Sequence, residues 1–283
     1  MKLATNLFNI FFLCAVAQCL APGALSAADC GVKGIEENAP ALCGIAKQGG
    51  MLYGEAEGWK VYKGKEPVSK NGVFVIGLDR DEPEILELKF CSFWSCRTYS
   101  YKIQQRKYIE QRVSVPEKFI TYPEDIRTRI EAENAAVRAA RTKAAKHDVL
   151  EFIEFRLSAT LKKFPISGVF GSRRVFNGKP RAPHNGLDIA APKGTPAGAI
   201  AAGRVIVAEN LYLAGKTVIV SHGHGVTSAY LHLDRIDVKV GDELIAGDIV
   251  GAIGATGRVS GAHLHLGIHW RHTALDPELL LKN

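Results

Sequence analysis

The chain has 283 residues, 47% hydrophobic and 23% charged, which suffices for one large core or two modest ones. That composition excludes an intrinsically disordered chain. The net charge of +7 (isoelectric point near 9.1) comes with interspersed acidic and basic residues beyond Gly171 rather than a long basic run. No nucleic-acid partner is therefore expected; mild attraction to an anionic envelope or polymer is.

Residues 1–28 read as a signal peptide. Met1-Lys2 gives a short positive start, Leu7–Ala17 an apolar stretch, and Ser26-Ala27-Ala28 small residues for cleavage before Asp29. The apolar stretch is well short of the ~20 residues a spanning helix needs, so no stable membrane span is expected once it is removed. Cys19 is a poor lipoprotein candidate because Gln18, not a small residue, precedes it. The expected location is exported: periplasm, cell envelope or secreted. Removal of residues 1–28 leaves four cysteines, an even number in an oxidising compartment, which reads as two disulfides. Cys30–Cys43 and Cys91–Cys96 are favoured because both close short local loops.

Residues 29–115 read as a small β-sandwich-like domain. Trp59–Tyr62 and Val73–Ile76 are β-rich runs between turn-like segments, and Glu84–Cys91 with Arg97–Ile103 predicts a hairpin pinned by Cys91–Cys96. Residues 116–165 predict a helical connector. Pro123-Glu124-Asp125 is a helix-start signal, and the Ala/Arg/Glu-rich sequence that follows carries Ile126, Ile130 and Val137 on one face through about Phe164. Residues 166–283 are mainly β again, with Gly turns between short runs such as Gly203–Val207, Thr217–Val220 and Leu244–Ile253. The fold class is mainly β.

Eight of the nine histidines lie between His184 and His272. His263-Leu264-His265-Leu266 has strand spacing, so both imidazoles project to one side while the leucines pack inward. In His184-Asn-Gly-Leu-Asp188, Gly186 disfavours a helix. His184 is expected on an incoming loop and Asp188 on a strand whose Leu187 and Ile189 face the core. Two imidazoles and one carboxylate suit zinc, with an open fourth position as in catalytic sites. His184, Asp188 and one of the His263/His265 pair would hold the ion. The other histidine of that pair, with His232, would move protons or stabilise an oxyanion.

Several neighbours have two readings. His222 and His224, in a Gly-rich turn, are structural or line a substrate rim. Tyr230 lines the cleft beside His232 or packs in the core. Arg173 binds a substrate carboxylate or braces the domain, and Trp270 is core or rim. His147, His269 and His272 have no motif support. Val240–Gly251 is similar to a biotinyl or lipoyl carrier repeat, but no lysine sits on a hairpin between two such halves.

The segment from about Gly168 to Leu281 resembles the M23 (LytM/lysostaphin-type) zinc metallopeptidases. The matching residues are Phe170-Gly-Ser-Arg173, His184-x-Gly-x-Asp188, Tyr230-Leu-His-Leu233 and Gly257-Arg-Val-Ser-Gly-Ala-His-Leu-His265. The departure is Ala197-Gly-Ala-Ile200, an unusual filling that touches no ligand. The resemblance implies a C-terminal antiparallel β-sheet metallopeptidase domain. It implies a zinc endopeptidase acting on peptidoglycan stems or cross-links, with His184, Asp188 and His265 as zinc (Zn2+) ligands and His232 and His263 as catalytic histidines. The alternative is a non-catalytic envelope protein of the same fold that binds the wall or activates another wall hydrolase.

Overall fold

Strict alternation along Ile85–Cys91 turns Leu86, Leu88 and Phe90 inward and leaves Ile85, Glu87 and Lys89 to solvent. Met51–Glu55 and Val73–Gly77 are instead buried along most of their length, in a computed structural model that describes residues 30–114, 122–146 and 155–282. The expected signal segment and His147 lie outside the described residues.

The first strands are β1 (Cys43–Gly44), β2 (Met51–Glu55), β3 (Lys60–Lys63), β4 (Glu66–Pro67), β5 (Ser69–Lys70), β6 (Val73–Gly77), β7 (Ile85–Cys91) and β8 (Cys96–Lys102). They form two four-stranded sheets, in the orders β1-β2-β6-β5 and β4-β3-β7-β8. Phe74 of one sheet meets Phe90 of the other edge-on at 5.7 Å. Both expected disulfides are present: Cys30–Cys43 ties the leading segment to β1, and Cys91–Cys96 closes the β7–β8 hairpin.

Next come β9 (Glu110–Val113), α1 (Glu124–Ala144), β10 (Phe155–Arg156), β11 (Ile166–Gly168), β12 (Arg173–Phe176) and β13 (Lys179–Pro180). Helix α1 opens after Pro123 with Glu124 and Asp125 in its first turn, where acidic side chains suit the helix dipole. It ends at Ala144, well before the Phe164 expected from sequence, and the chain resumes in β10 and a short 3-10 turn at Leu161–Lys163. Phe155 is fully buried and its strand pairs with β23 (Leu281–Lys282), so this segment packs with the C-terminal half. Val137 and Ala140 on α1 cover Val207, Ile219 and Ala229.

The remainder is β14 (Leu187–Ile189), β15 (Pro196–Gly198), β16 (Gly203–Leu211), β17 (Gly215–Gly223), β18 (Val226–Ile236), β19 (Glu243–Leu244), β20 (Ile249–Ile253), β21 (Leu264–Trp270), β22 (Thr273–Leu275), α2 (Pro277–Leu280) and β23 (Leu281–Lys282). The Leu244–Ile253 run is thus split between β19 and β20 by a turn at Gly247, whose φ of 96° is in the left-handed region. The main sheet has ten strands, ordered β11-β14-β21-β18-β17-β16-β19, with β15, β20 and β22 paired off that path. Its pairings are antiparallel. Trp270 is buried against Gly77 of β6, so the two halves share one hydrophobic core. Among the described residues no helix is long and apolar enough to cross a membrane.

Inside the sheet lies a polar cluster. The His222 Nδ1–H donates to the Ala202 carbonyl at 2.6 Å, and Nε2 sits 2.9 Å from Ser228 Oγ. Ser228 Oγ is 3.1 Å from the Tyr230 hydroxyl, which accepts the Ile200 N–H at 2.8 Å. His222 is therefore structural, and Tyr230 is packed in the core rather than lining a cleft. Burial pushes the His222 pKa down to about 4, against the opposing pull of the Ala202 carbonyl. An unfolded histidine titrates near ~6.5, so the unfolded state binds more protons between those values and stability is lost as pH falls through that window. The His222 contribution to the loss between pH 7 and pH 5 is about 2 kcal/mol. Denaturant unfolding at both pH values should show a smaller difference for His222→Gln than for the wild type; equal differences would contradict this role.

Candidate active site

The site is built on one register. Strand β14 pairs with β21 so that Leu187 faces Leu266, Asp188 faces His265 and Ile189 faces Leu264. The four aliphatic side chains are fully buried, each stabilising the fold by roughly 1.5–3 kcal/mol. Alternation then leaves Asp188 and His265 side by side on the other face, as their spacing predicts.

His184 arrives from the preceding loop. Its main chain pairs with the Val169–Arg173 segment: Gly171 N–H donates to His184 O, and His184 N–H to Ser172 O, each at 2.8 Å. The side-chain Nδ1–H donates to the Val169 carbonyl at 3.0 Å, which fixes the tautomer and turns Nε2 inward. That Nε2 lies 3.0 Å from both Asp188 Oδ1 and His265 Nδ1, and His265 Nδ1 is 2.8 Å from Asp188 Oδ1. Three donor atoms thus converge on one point, as the expected ligand set requires. Atoms ~2.0–2.2 Å from a tetrahedral ion stand about 3.4 Å apart. The observed triangle is slightly tighter, as hydrogen-bonded polar atoms are. The donor chemistry and geometry therefore fit a zinc ion.

Burial opposes the Asp188 charge, but hydrogen bonds from His184 and His265 outweigh it and hold the carboxyl well below the usual range. Burial also lowers His184, yet its bond to Asp188 and that charge leave it net raised. His265 faces the same carboxylate and is net lowered. Its side chain is 14% exposed against 22% for His184, so burial wins.

His232 comes to the site through a β-bulge. Strand β18 carries an extra residue opposite Lys216–Val218, and His232 adopts a left-handed φ of 63°. Simple alternation would place His232 on the same face as Tyr230. The bulge separates them: Tyr230 and Leu233 enter the core, while the His232 ring comes within 4.9 Å of His263 and 6.1 Å of His265. His232 Nδ1–H donates to the Thr256 carbonyl at 3.0 Å, leaving Nε2 as an acceptor. Burial, opposed by that bond, brings its pKa down to about 4, so it is neutral near pH 7. His263 Nδ1–H donates to the Gly261 carbonyl at 2.9 Å, and its Nε2 lies 3.8 Å from Asp188 Oδ1. All five predicted site residues are therefore together.

The other candidates fall elsewhere. Arg173 pairs with Glu110 of β9 at 3.3 Å, which is the bracing reading. Trp270 is core. His269 lies beside Arg141 of α1 and His272 beside Thr142. Sequence reasoning missed the carbonyls of Val169, Thr256 and Gly261, since main-chain acceptors leave no trace in residue type. It also missed the N-terminal contribution. Arg80 Nε–H donates to the Gly171 carbonyl at 2.8 Å, and Tyr108 covers Gly171 so closely that a Cβ there would lie 2.2 Å from its ring. The N-terminal half thereby clamps the segment that orients His184.

Gly186 is a closer constraint. A Cβ there would stand 2.6 Å from both His265 Nε2 and the Leu266 carbonyl. Gly186→Ala should displace the His265 ring and weaken zinc binding about 10- to 100-fold, read by competition with a chelating dye. Wild-type affinity in that variant would contradict the packing described.

The model of "Peptidase family M23" matches residues 182–277. The peptidoglycan DD-endopeptidase ShyA of Vibrio cholerae is 43% identical over 104 residues, covering 36% of this chain and 24% of ShyA. ShyB of the same organism, also a peptidoglycan DD-endopeptidase, is 31% identical over 163 residues, covering 50% of this chain and 38% of ShyB. The matches thus span about a quarter to two-fifths of those relatives' lengths. The crystal structure of a candidate M23 peptidase from Pseudomonas aeruginosa superposes with a TM-score of 0.63 at 28% identity, covering 83% of this chain and 95% of that one. All five site positions lie inside the segment that matches peptidase family M23.

Proposed function

We propose that the protein is an exported zinc metallo-endopeptidase that hydrolyses peptide bonds in peptidoglycan stem peptides or cross-links. The observation that carries this reading is the convergence of His184 Nε2, Asp188 Oδ1 and His265 Nδ1 beside two further imidazoles held by main-chain carbonyls. The substrate class rests on the similarity to the two peptidoglycan DD-endopeptidases. Export rests on the apolar stretch within residues 1–28 and on the two disulfides.

A zinc ion held by His184, Asp188 and His265 would supply Lewis-acid polarisation of the scissile carbonyl and a more acidic water. The chain supplies the rest. The Val169 carbonyl holds the His184 ring so that its Nε2 points to the other two donors and would face a bound ion. Asp188, kept ionised, would offset the charge of that ion. His232 and His263 have Nδ1 committed to carbonyls, so Nε2 of each is the atom that accepts a proton from the attacking water. Once protonated, it donates to the oxyanion or the departing amine. The two rings are 4.9 Å apart and are assigned these roles jointly.

The test is digestion of purified sacculi, with mass spectrometry of released muropeptides and zinc quantified on each protein. The wild type should carry one zinc and generate new peptide termini; a chelator should abolish this and zinc restore it. His184→Ala should lose both zinc and activity. His232→Ala should keep zinc and lose about 10²- to 10⁴-fold in rate. A zinc-loaded wild type that releases no new termini would overturn the enzyme reading in favour of the non-catalytic alternative. Full activity in His184→Ala would overturn the ligand set.

A further inference from the structure

Phe93 and Trp94 are 89% and 88% exposed, at the tip of the β7–β8 hairpin. Water-facing aromatic pairs of this size are uncommon on a free surface. The tip is rigid. The Cys91–Cys96 disulfide closes its neck, and Ser92 N–H donates to the Ser95 carbonyl at 2.8 Å. Ser92 Oγ accepts the Ser95 and Trp94 N–H groups at 3.2 and 3.3 Å. Three of the tip's four main-chain N–H groups are thereby bonded within the turn, so carrying them out of water costs little. Trp59 is 40% exposed and precedes Lys60, which lies opposite Cys91, so two of the chain's three tryptophans are at this end.

The charges around the tip are mostly positive. Lys60 and Lys89 lie on the outer face of the sheet. Arg97, opposite inward-facing Phe90, lies on the other face. Glu57 is the acidic residue in the neighbouring turn, whereas Glu84 and Glu87 lie towards the far end of the hairpin.

The geometry selects among partners. The two rings are 4.8 Å apart and 79° from parallel, so they offer no continuous flat platform for a sugar. Serines flank them in the chain, and cations predominate nearby. Two aromatic side chains bury about 150–250 Å² each, far below the ~1,000 Å² a stable protein partner needs. A bilayer needs no complementary relief. Its headgroup region favours Trp, its anionic lipids favour Lys and Arg, and stable attachment takes two such signals together.

We propose that the Ser92–Ser95 tip is an interfacial anchor that docks the protein on an anionic phospholipid bilayer. Phe93 and Trp94 enter the headgroup–acyl boundary, and Lys60, Lys89 and Arg97 sit at the lipid phosphates. This stands independently of the peptidase site.

The test is co-sedimentation of the exported protein with large vesicles of phosphatidylethanolamine and phosphatidylglycerol, or of phosphatidylcholine alone, across a salt series. All variants carry the same N-terminus. The wild type should bind the anionic vesicles more tightly than the neutral ones and lose binding as salt rises. Phe93→Ser/Trp94→Ser should bind about tenfold more weakly or worse, with unchanged thermal unfolding. Trp94→Phe should still bind but lose most of the blue shift in tryptophan emission. A wild type that ignores the vesicles, or a double variant that binds them equally, would overturn the proposal. Loss of binding to purified glycan strands in the double variant, with no vesicle binding by the wild type, would assign the tip to sugar instead.

Discussion

Everything at the site depends on one antiparallel register, Asp188 opposite His265. Because side chains alternate, the pairing that seats Leu187, Ile189, Leu264 and Leu266 in the core also forces the carboxylate and the imidazole together on the other face. A slip by one residue would bury a charge and expose leucines, a cost far larger than any single hydrogen bond. The core therefore enforces the register, and the register brings together two of the three proposed metal donors. His184 completes it from a loop, and the bulge at His232 brings the fourth imidazole.

That loop is not self-sufficient. Its orientation comes through Val169–Ser172, and this stretch is gripped by Arg80 and Tyr108 from outside the M23-matched segment. Arg80 and Arg106 flank the Tyr108 ring at 4.3 and 5.0 Å, and Arg106 pairs with Asp276 at 2.6 Å just after β22. The parallel pairing of β9 with β12 adds a second tie. The N-terminal half thus braces the side of the site that holds His184.

Local pattern made much of this legible in the sequence. Alternation at Leu187–Ile189 and Leu264–Leu266 predicted the correct faces, and short loop spacing predicted both disulfides. The bulge was not legible, because it is a property of the pairing with β17; read alone, Tyr-Leu-His-Leu puts Tyr230 and His232 on one face. The end of α1 was hidden for another reason. Residues 124–164 contain no Gly or Pro, so nothing local marks the end of a helix, and the burial of Phe155 beside β23 is a long-range contact. The main-chain carbonyls that orient three of the four site imidazoles, and the reach of Arg80 across 91 positions to Gly171, leave no signature in residue type.

The central claim is that one register gathers three donors around one ion. The direct measurement is anomalous diffraction at the zinc edge from crystals of the zinc-loaded protein. The account predicts a single strong peak about 2.0–2.2 Å from His184 Nε2, Asp188 Oδ1 and His265 Nδ1, with a remaining position open towards His232 and His263. A peak coordinated by a different set of side chains, or none in crystals that keep this register, would contradict it.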